Sequence, residues 1–305
     1  MITGRRARDA LADYERALAN GPLAKQTRRA YRSRVAGFLR WLVVAGADGD
    51  PLADPAARDR AVDRYRQHLV ADGARPTTLN AALTALDHFY RHLRLGPAAT
   101  GREPVPAAVR HALPPELRDR LLHAVDRQDS PRDRAIAYTL LFTGLRTAEL
   151  VALDLSDLRL AAGGGRLIVP PAASSPREVP LHERPRPVLQ AWLRERDRWS
   201  GADATGALFL NRRGGRLTTR SVTDLVARLG EQAGLTELPG GGRLTPQALR
   251  HTFGACLLAG GADLVLVATL MGHKRLDTTR RYLDDTADGA HREVDARQAL
   301  SRAYG

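Results

Sequence analysis

The sequence predicts a mainly α protein of two domains: a helical N-terminal part, then an α-rich part with a small antiparallel β-sheet. Three observations predict it. Apolar residues recur at three- and four-residue spacing through the first 95 residues. A Gly- and Pro-rich stretch, "LGPAATGREPVPAAVRHALPPE", reads as a linker over 97–112, between domains at 1–96 and 113–305. Three short segments, "DLRL", "RLIVPP" and "PREVPL", are β-branched or alternating and interrupt the helical pattern of the second part. A length of 305 residues also suits two domains, which usually hold about 100–200 residues each. Hydrophobic content of 43% is enough for a core, and abundant Ala and Leu favour helices.

The elements follow in order. "TRRAYRSRVAGFLRWLVVAG" sets Tyr31, Val35, Phe38, Leu39 and Leu42 on one helical face, with Arg28, Arg29, Arg32, Arg34 and Arg40 on the other. "PTTLNAALTALDHFYRHLRLG" does the same with Leu79, Leu83, Leu86, Phe89, Tyr90 and Leu93. After the linker, Ser130 should cap a helix that has Pro131 in its first turn and Gly144 at its end. Thr147 is expected to cap the next helix, "AELVAL". The three strand-like segments come next, with a loose hairpin at 171–176. Helical pattern resumes near Arg184. Thr245 and Pro246 open another helix, closed by Gly260 and Gly261, and "ADLVLVATLMG" forms one more, closed by Gly272. Asp277 can cap a last short helix that carries Tyr282.

Charge narrows the function. The net charge is +13, which favours a polyanionic partner, nucleic acid first and a membrane surface second. Up to residue 100 there are 17 basic and 10 acidic residues, a net of +7, and the remainder carries +6, so both parts suit the same partner. Any single arginine on such a helix face is ordinarily just solvated. Lys25 and Lys274 are the only lysines. The single cysteine, Cys256, fits a reducing compartment. No signal-peptide core and no window of about 20 apolar residues is present, so a soluble, cytoplasmic protein without a membrane partner is expected. His88 and His92 have the i, i+4 spacing of metal ligands, but no nearby carboxylate or cysteine completes a set, and no metal or other cofactor is expected.

Four residues at helix ends stand out. Arg146 lies at the junction "TGLRTAEL", and Arg250 lies one face along from Gln247. His273 follows the Gly272 stop, and Tyr282 sits nine residues further on. Two guanidiniums can hold the non-bridging oxygens of one phosphate through forked donors and stabilise a pentacoordinate phosphorane. A tyrosine hydroxyl could then attack phosphorus. Its ordinary pKa of about 10 calls for cationic neighbours or a base, and His273 is placed to be one. Taken alone, each signal has a plainer reading: a surface arginine, a turn histidine, a packing tyrosine.

In order along the chain, "TGLRTAELVALDLSDL", "LTPQALRHTFGACLLAGGADLVLVATLMGH" and "LDTTRRYL" resemble the motifs of the tyrosine recombinase (phage integrase) family, of the Xer/integrase-like site-specific kind. The first 96 residues are similar to the helical core-binding (SAM-like) DNA-binding domain of such proteins, and the rest to their catalytic domain with its tail helix. The resemblance spans residues about 10–300. It implies that Arg146 and Arg250 are the catalytic arginines, His273 the histidine of the "GH" motif, and Tyr282 the nucleophile. It also implies a 3′-phosphotyrosyl intermediate, a released 5′-hydroxyl, and no need for metal or ATP. The partner would be a double-stranded DNA recombination site, with four protomers on two sites. The tail after Tyr282 would dock on a neighbouring protomer. Arg28, Arg29, Arg32, Thr78 and Asn80 are the candidate DNA-binding residues of the first domain. A bacterial, nucleoid-associated protein follows.

Two positions depart from the family pattern. Gln247 stands where a histidine is usual. It can donate to a phosphate oxygen but cannot exchange a proton near neutral pH. The hairpin "RLIVPPAASSPREVPL" lacks the lysine that would protonate the leaving 5′-oxygen, and Ala172 or Ala173 takes its place. Arg166, Arg177 and Lys274 are the candidate substitutes, although arginine is a poor proton donor. Two other readings therefore stand beside active recombination: a DNA-binding relative with weak or no cleavage, and a type IB topoisomerase, against which the N-terminal domain argues.

Overall fold

The computed structural model describes residues 3–104, 112–161, 164–170, 176–238, 241–272, 297–299, 301–302 and 304. Contacts divide the chain into two compact units, Met1–Ala108 and Val109–Gly305. The first holds α1 (Gly4–Asn20), α2 (Lys25–Ala45), α3 (Pro55–Ala71) and α4 (Pro76–His92). The second runs α5 (Pro115–Asp126), α6 (Pro131–Thr143), α7 (Thr147–Ala152), β1 (Leu158–Ala161), β2 (Gly164–Val169), β3 (Arg177–Leu181), α8 (Pro185–Arg196), α9 (Thr219–Gln232), α10 (Pro246–Ala259) and α11 (Leu264–Met271). The protein is thus mainly helical, with one small antiparallel sheet. Among the described residues no helix is long and apolar enough to cross a membrane, and no group of three metal-ligating side chains gathers.

The first unit buries the stripes that the helical spacing picked out. Val35, Phe38, Leu39 and Leu42 of α2 pack with Leu79, Leu83, Leu86, Phe89 and Tyr90 of α4. His88 and His92 tie α4 to α1: the Tyr14 hydroxyl lies 2.9 Å from His88 Nδ1, and His92 Nε2 lies 2.8 Å from Asp13 Oδ2. Burial lowers the His88 pKa below its usual value, which keeps the ring neutral and able to accept.

Residues 97–104, expected to begin the linker, lie against α3 and α4. Asp59 accepts from the Ala99 amide at 3.0 Å. The Asn80 side chain both donates to and accepts from the Glu103 backbone, at 2.7 and 3.0 Å. Arg102 reaches the Asn80 carbonyl at 2.6 Å and Asp87 at 2.5 Å. A Gly/Pro-rich composition marks the absence of helix or strand, and such a segment can still be held by side chains.

In the second unit α6 is buried on nearly every side. Ser130 caps it by accepting from the Asp133 amide at 3.2 Å, and Gly144 ends it at φ +59°. Only glycine suits that position twice over, because a Cβ there would also overlap the Phe253 ring. The sheet has strand order β1-β2-β3, with Leu158 opposite Leu167 and Leu167 opposite Val179. Leu167 and Val179 face the core beside Ile136, Phe142, Trp192, Phe209 and Phe253. Of the hairpin at 171–176, residues 171–175 lie outside the described set, as does the helix expected after Asp277.

Tyr304 returns to this core. Its hydroxyl donates to the Leu141 carbonyl at 2.8 Å, and its ring centre lies 4.3 Å from that of Phe142. Tyr304, the last described residue, thus packs on the core of its own unit, and residues 283–296 of the tail lie outside the described set.

Gly144→Ala should cost about 2–4 kcal/mol, combining the left-handed backbone penalty with overpacking against Phe253. Thermal unfolding of the full chain should show a melting temperature several degrees lower, and an unchanged value would mean that the junction relaxes freely.

Candidate active site

The junction after Gly144 places Arg146 at the cap position of α7. Thr147, expected to be the cap, is instead the first helical residue. Its cap is supplied from the other side: Glu149 Oε2 accepts the Arg146 backbone N–H at 2.8 Å, a carboxylate reaching back to the start of its own helix. Glu149 is fully buried, so it cannot stand there alone.

Three arginines surround it. Arg146 Nη1 donates to Glu149 Oε1 at 2.8 Å. Arg177, the first residue of β3, donates through both Nη atoms to the two carboxylate oxygens, at 3.1 and 2.9 Å. Arg250 of α10 lies 3.9 Å from Oε2. α10 is held by Thr245, which accepts from the Ala248 amide at 3.2 Å, with Pro246 at its first position.

The same three guanidiniums grip one helix end. Arg177 Nε donates to the Leu270 carbonyl at 2.7 Å, Arg250 donates to the Met271 carbonyl, and Arg146 donates to the Gly272 carbonyl at 2.9 Å. These are successive acceptors at the C-terminus of α11, where carbonyls lack helical partners and the helix dipole is negative. Arg250 also donates to the Gly144 carbonyl at 2.6 Å, closing the ring back to the α6–α7 junction. α11 itself starts at Asp263, which accepts from the Leu266 amide at 2.7 Å, and stops at Gly272 with φ +63°. The arginines thus fix the chain at the residue before His273.

Burial and the nearby Arg146 charge push the Arg250 pKa down to about 10, while Glu149 opposes the shift. Arg250 therefore stays a cation at neutral pH. Its side chain is only 3% exposed, and that of Arg146 is 32% exposed. Three guanidiniums against one carboxylate leave two positive charges in excess among these four groups. An anion with several acceptor oxygens would complete such a cluster.

Arg146 and Arg250, predicted from sequence, are brought together. Gln247 sits on the exposed first turn of α10, with its amide nitrogen 3.1 Å from His251 Nε2. His273, Lys274 and Tyr282 lie outside the described residues, as do Ala172 and Ala173. Arg177 does not serve as a free cation that could replace a lysine. It is buried and engaged with Glu149 and Leu270, and a guanidinium so held has neither access nor a proton to spare. Arg166 projects from the exposed face of β2, 3.5 Å from Glu178.

In the first unit Arg29 and Thr78 are exposed, Arg28 donates to the Ala19 carbonyl at 2.8 Å, and Arg32 pairs with Glu15 at 2.6 Å. Asn80 is occupied at both ends of its amide by Glu103, which makes it a clip for residues 102–103 rather than an open DNA contact. Sequence reading missed Glu149. The signal was there: an acidic residue at the third position of a short helix is the far half of a capping box.

Residues 112–288 match the sequence profile of the phage integrase family. The chain is also 34% identical over 290 residues to the tyrosine recombinase XerC of Chromohalobacter salexigens, covering 89% of this chain and 92% of the relative. The chain belongs to the phage integrase family. A second member, the tyrosine recombinase XerC of Pelobacter propionicus, is 34% identical over 281 residues, 87% of each chain. The phage integrase fold is also seen in a crystal structure of the XerH site-specific recombinase bound to difH substrate in a pre-cleavage complex. That structure superimposes with a TM-score of 0.66 at 21% identity, over 84% of this chain and 76% of that one.

Glu149→Ala should destabilise the second unit by about 3–5 kcal/mol, because it leaves buried guanidiniums without their counter-charge. Glu149→Gln keeps the side-chain shape and one of the two acceptor oxygens but faces an NH2 toward the guanidiniums, and it should lose less than the alanine variant. Urea denaturation followed by circular dichroism would report this order, and equal midpoints for all three proteins would sink the hub assignment.

Proposed function

We propose that this chain is a site-specific recombinase that cuts and rejoins DNA through a covalent phosphotyrosine on Tyr282. The observation that carries the reading is the excess positive charge of the Arg146–Arg177–Arg250–Glu149 cluster, held at the helix end that leads into His273. Family membership supplies the reaction class. The Tyr282 oxygen attacks phosphorus, the bond from phosphorus to the 5′-oxygen breaks, and a 3′-phosphotyrosyl ester forms. The tyrosine proton passes to a base, for which His273 is the candidate, and a proton must reach the departing 5′-oxygen. A 5′-hydroxyl of a partner duplex then reverses these steps on the new strand. The phosphodiester energy is kept in the tyrosyl ester, so neither ATP nor a metal has a task in this sequence. Arg146 and Arg250 balance the charge of the pentacoordinate phosphorus, and Gln247 adds an N–H donor.

In this reading Met1–Ala108 is a core-binding DNA-binding unit, with Arg29 and Thr78 among its exposed candidates. Four protomers act in pairs on two DNA sites. The protein works on the DNA of the bacterial cytoplasm.

A nicked suicide substrate built on the protein's own site tests the proposal. The wild type should form a covalent protein–DNA band that disappears in Tyr282→Phe. Arg146→Ala should slow its formation about 10²–10³-fold, the usual loss for one transition-state donor. Binding of the site without any covalent band would refute cleavage, and relaxation of site-free supercoiled DNA would mark a topoisomerase. Ala172→Lys or Ala173→Lys should speed cleavage if the 5′-oxygen lacks an acid in the wild type. Affinity for the site should fall steeply and linearly on a plot of log K against log salt, as phosphate neutralisation requires.

A further inference from the structure

Gln247 carries the role of a phosphate donor on an intrinsically poor side chain for it. Glutamine has three side-chain torsions, and its amide can present either its oxygen or its nitrogen to a given point. A histidine ring has only two torsions, so less freedom is lost when it is held. An acceptor-presenting glutamine would repel a phosphate oxygen, so something must select the nitrogen end.

His251 is placed to do so. It lies one turn after Gln247 on α10, and the spacing i, i+4 puts the two side chains on one face. The amide nitrogen of Gln247 lies 3.1 Å from His251 Nε2. With the amide nitrogen turned to the ring, the amide donates and the ring nitrogen accepts. One N–H of Gln247 is used in this bond, and the second is left for a substrate oxygen.

The stripe that holds both residues continues to Gly254, which faces α11. A Cβ at Gly254 would stand 2.9 Å from Met271 Sδ. Met271 in turn accepts from Arg250 through its carbonyl. The Gln247–His251 pair thus runs along the side of α10 turned toward α11, whose end the catalytic arginines hold.

We infer that His251 is the positioning residue for Gln247: by accepting one amide N–H it turns the other toward the scissile phosphate, making a glutamine serve at a histidine position. This rests on the recombinase reading above. His251 does not touch the phosphate.

The test is a double-mutant cycle on the rate of covalent complex formation with the nicked suicide substrate, using full-length protein. His251→Ala should slow the wild type about five- to tenfold, the worth of one hydrogen bond, with DNA binding unchanged. His251→Gln, which returns an acceptor near the Nε2 position, should recover most of that loss. In a Gln247→His background, where the donor no longer needs orienting, His251→Ala should cost less than about twofold. Equal losses in both backgrounds would assign His251 a merely structural role and overturn the inference, as would no loss in either. A wild type that yields no Tyr282-dependent product would overturn the recombinase reading and this inference with it, and the Tyr282→Phe control separates that outcome from the others.

Discussion

A single buried carboxylate organises the second unit. Glu149 has no exposed surface, and its charge is met by contact with Arg146 and Arg177 and by Arg250 just beyond contact. A lone ionised carboxylate in such a place would be prohibitively costly, and three lone guanidiniums would be worse. Together they offset one another, and the leftover charge is positive. The cluster is therefore a structural joint that carries net positive charge. The α7 cap, the first residue of β3, the middle of α10 and the end of α11 all meet at it.

This joint also explains why helix ends matter so much here. α6 stops at Gly144, α7 starts at Arg146, and α11 stops at Gly272. Orphan carbonyls at two of these ends, Gly144 and Met271–Gly272, become acceptors for the arginines. Arg146 and Arg250 each spend only part of their donor set on these contacts. The five N–H groups of a guanidinium allow one side chain to hold a backbone and still address a substrate. A lysine could do the first or the second, with no fixed fork to do both.

Much of this was legible in the sequence, because caps and stops are local chemistry. Ser130, Thr245, Gly144 and Gly272 stand where their residue types predicted, and the three alternating segments form the three strands. The apolar stripes of α2 and α4 are the core of the first unit. What escaped depends on contacts between distant residues. Arg177 read as a hairpin cation and a candidate substitute for the missing lysine, and Glu149, 28 positions earlier, holds it instead. Asn80 looked like an open polar group until Glu103 folded onto it. Thr147 is a good capping type, but the carboxylate two residues later outcompetes it. Gln247 read by residue type as a donor that cannot exchange a proton, and its contact with His251, one helical turn on, was not read from the sequence.

The grip on the α11 carbonyls has a consequence for the timing of assembly. Its three arginines come from residues 146, 177 and 250, and the carbonyls from 270–272. Contacts so far apart in sequence are costly to close, because the long loops between them must be ordered. During synthesis the first two arginines leave the ribosome long before the segment they are to hold. A nascent or half-folded chain thus has its cations dispersed and no organised centre. Competence to break a DNA strand arises only when the whole second unit has come together, which ties a hazardous chemistry to complete folding.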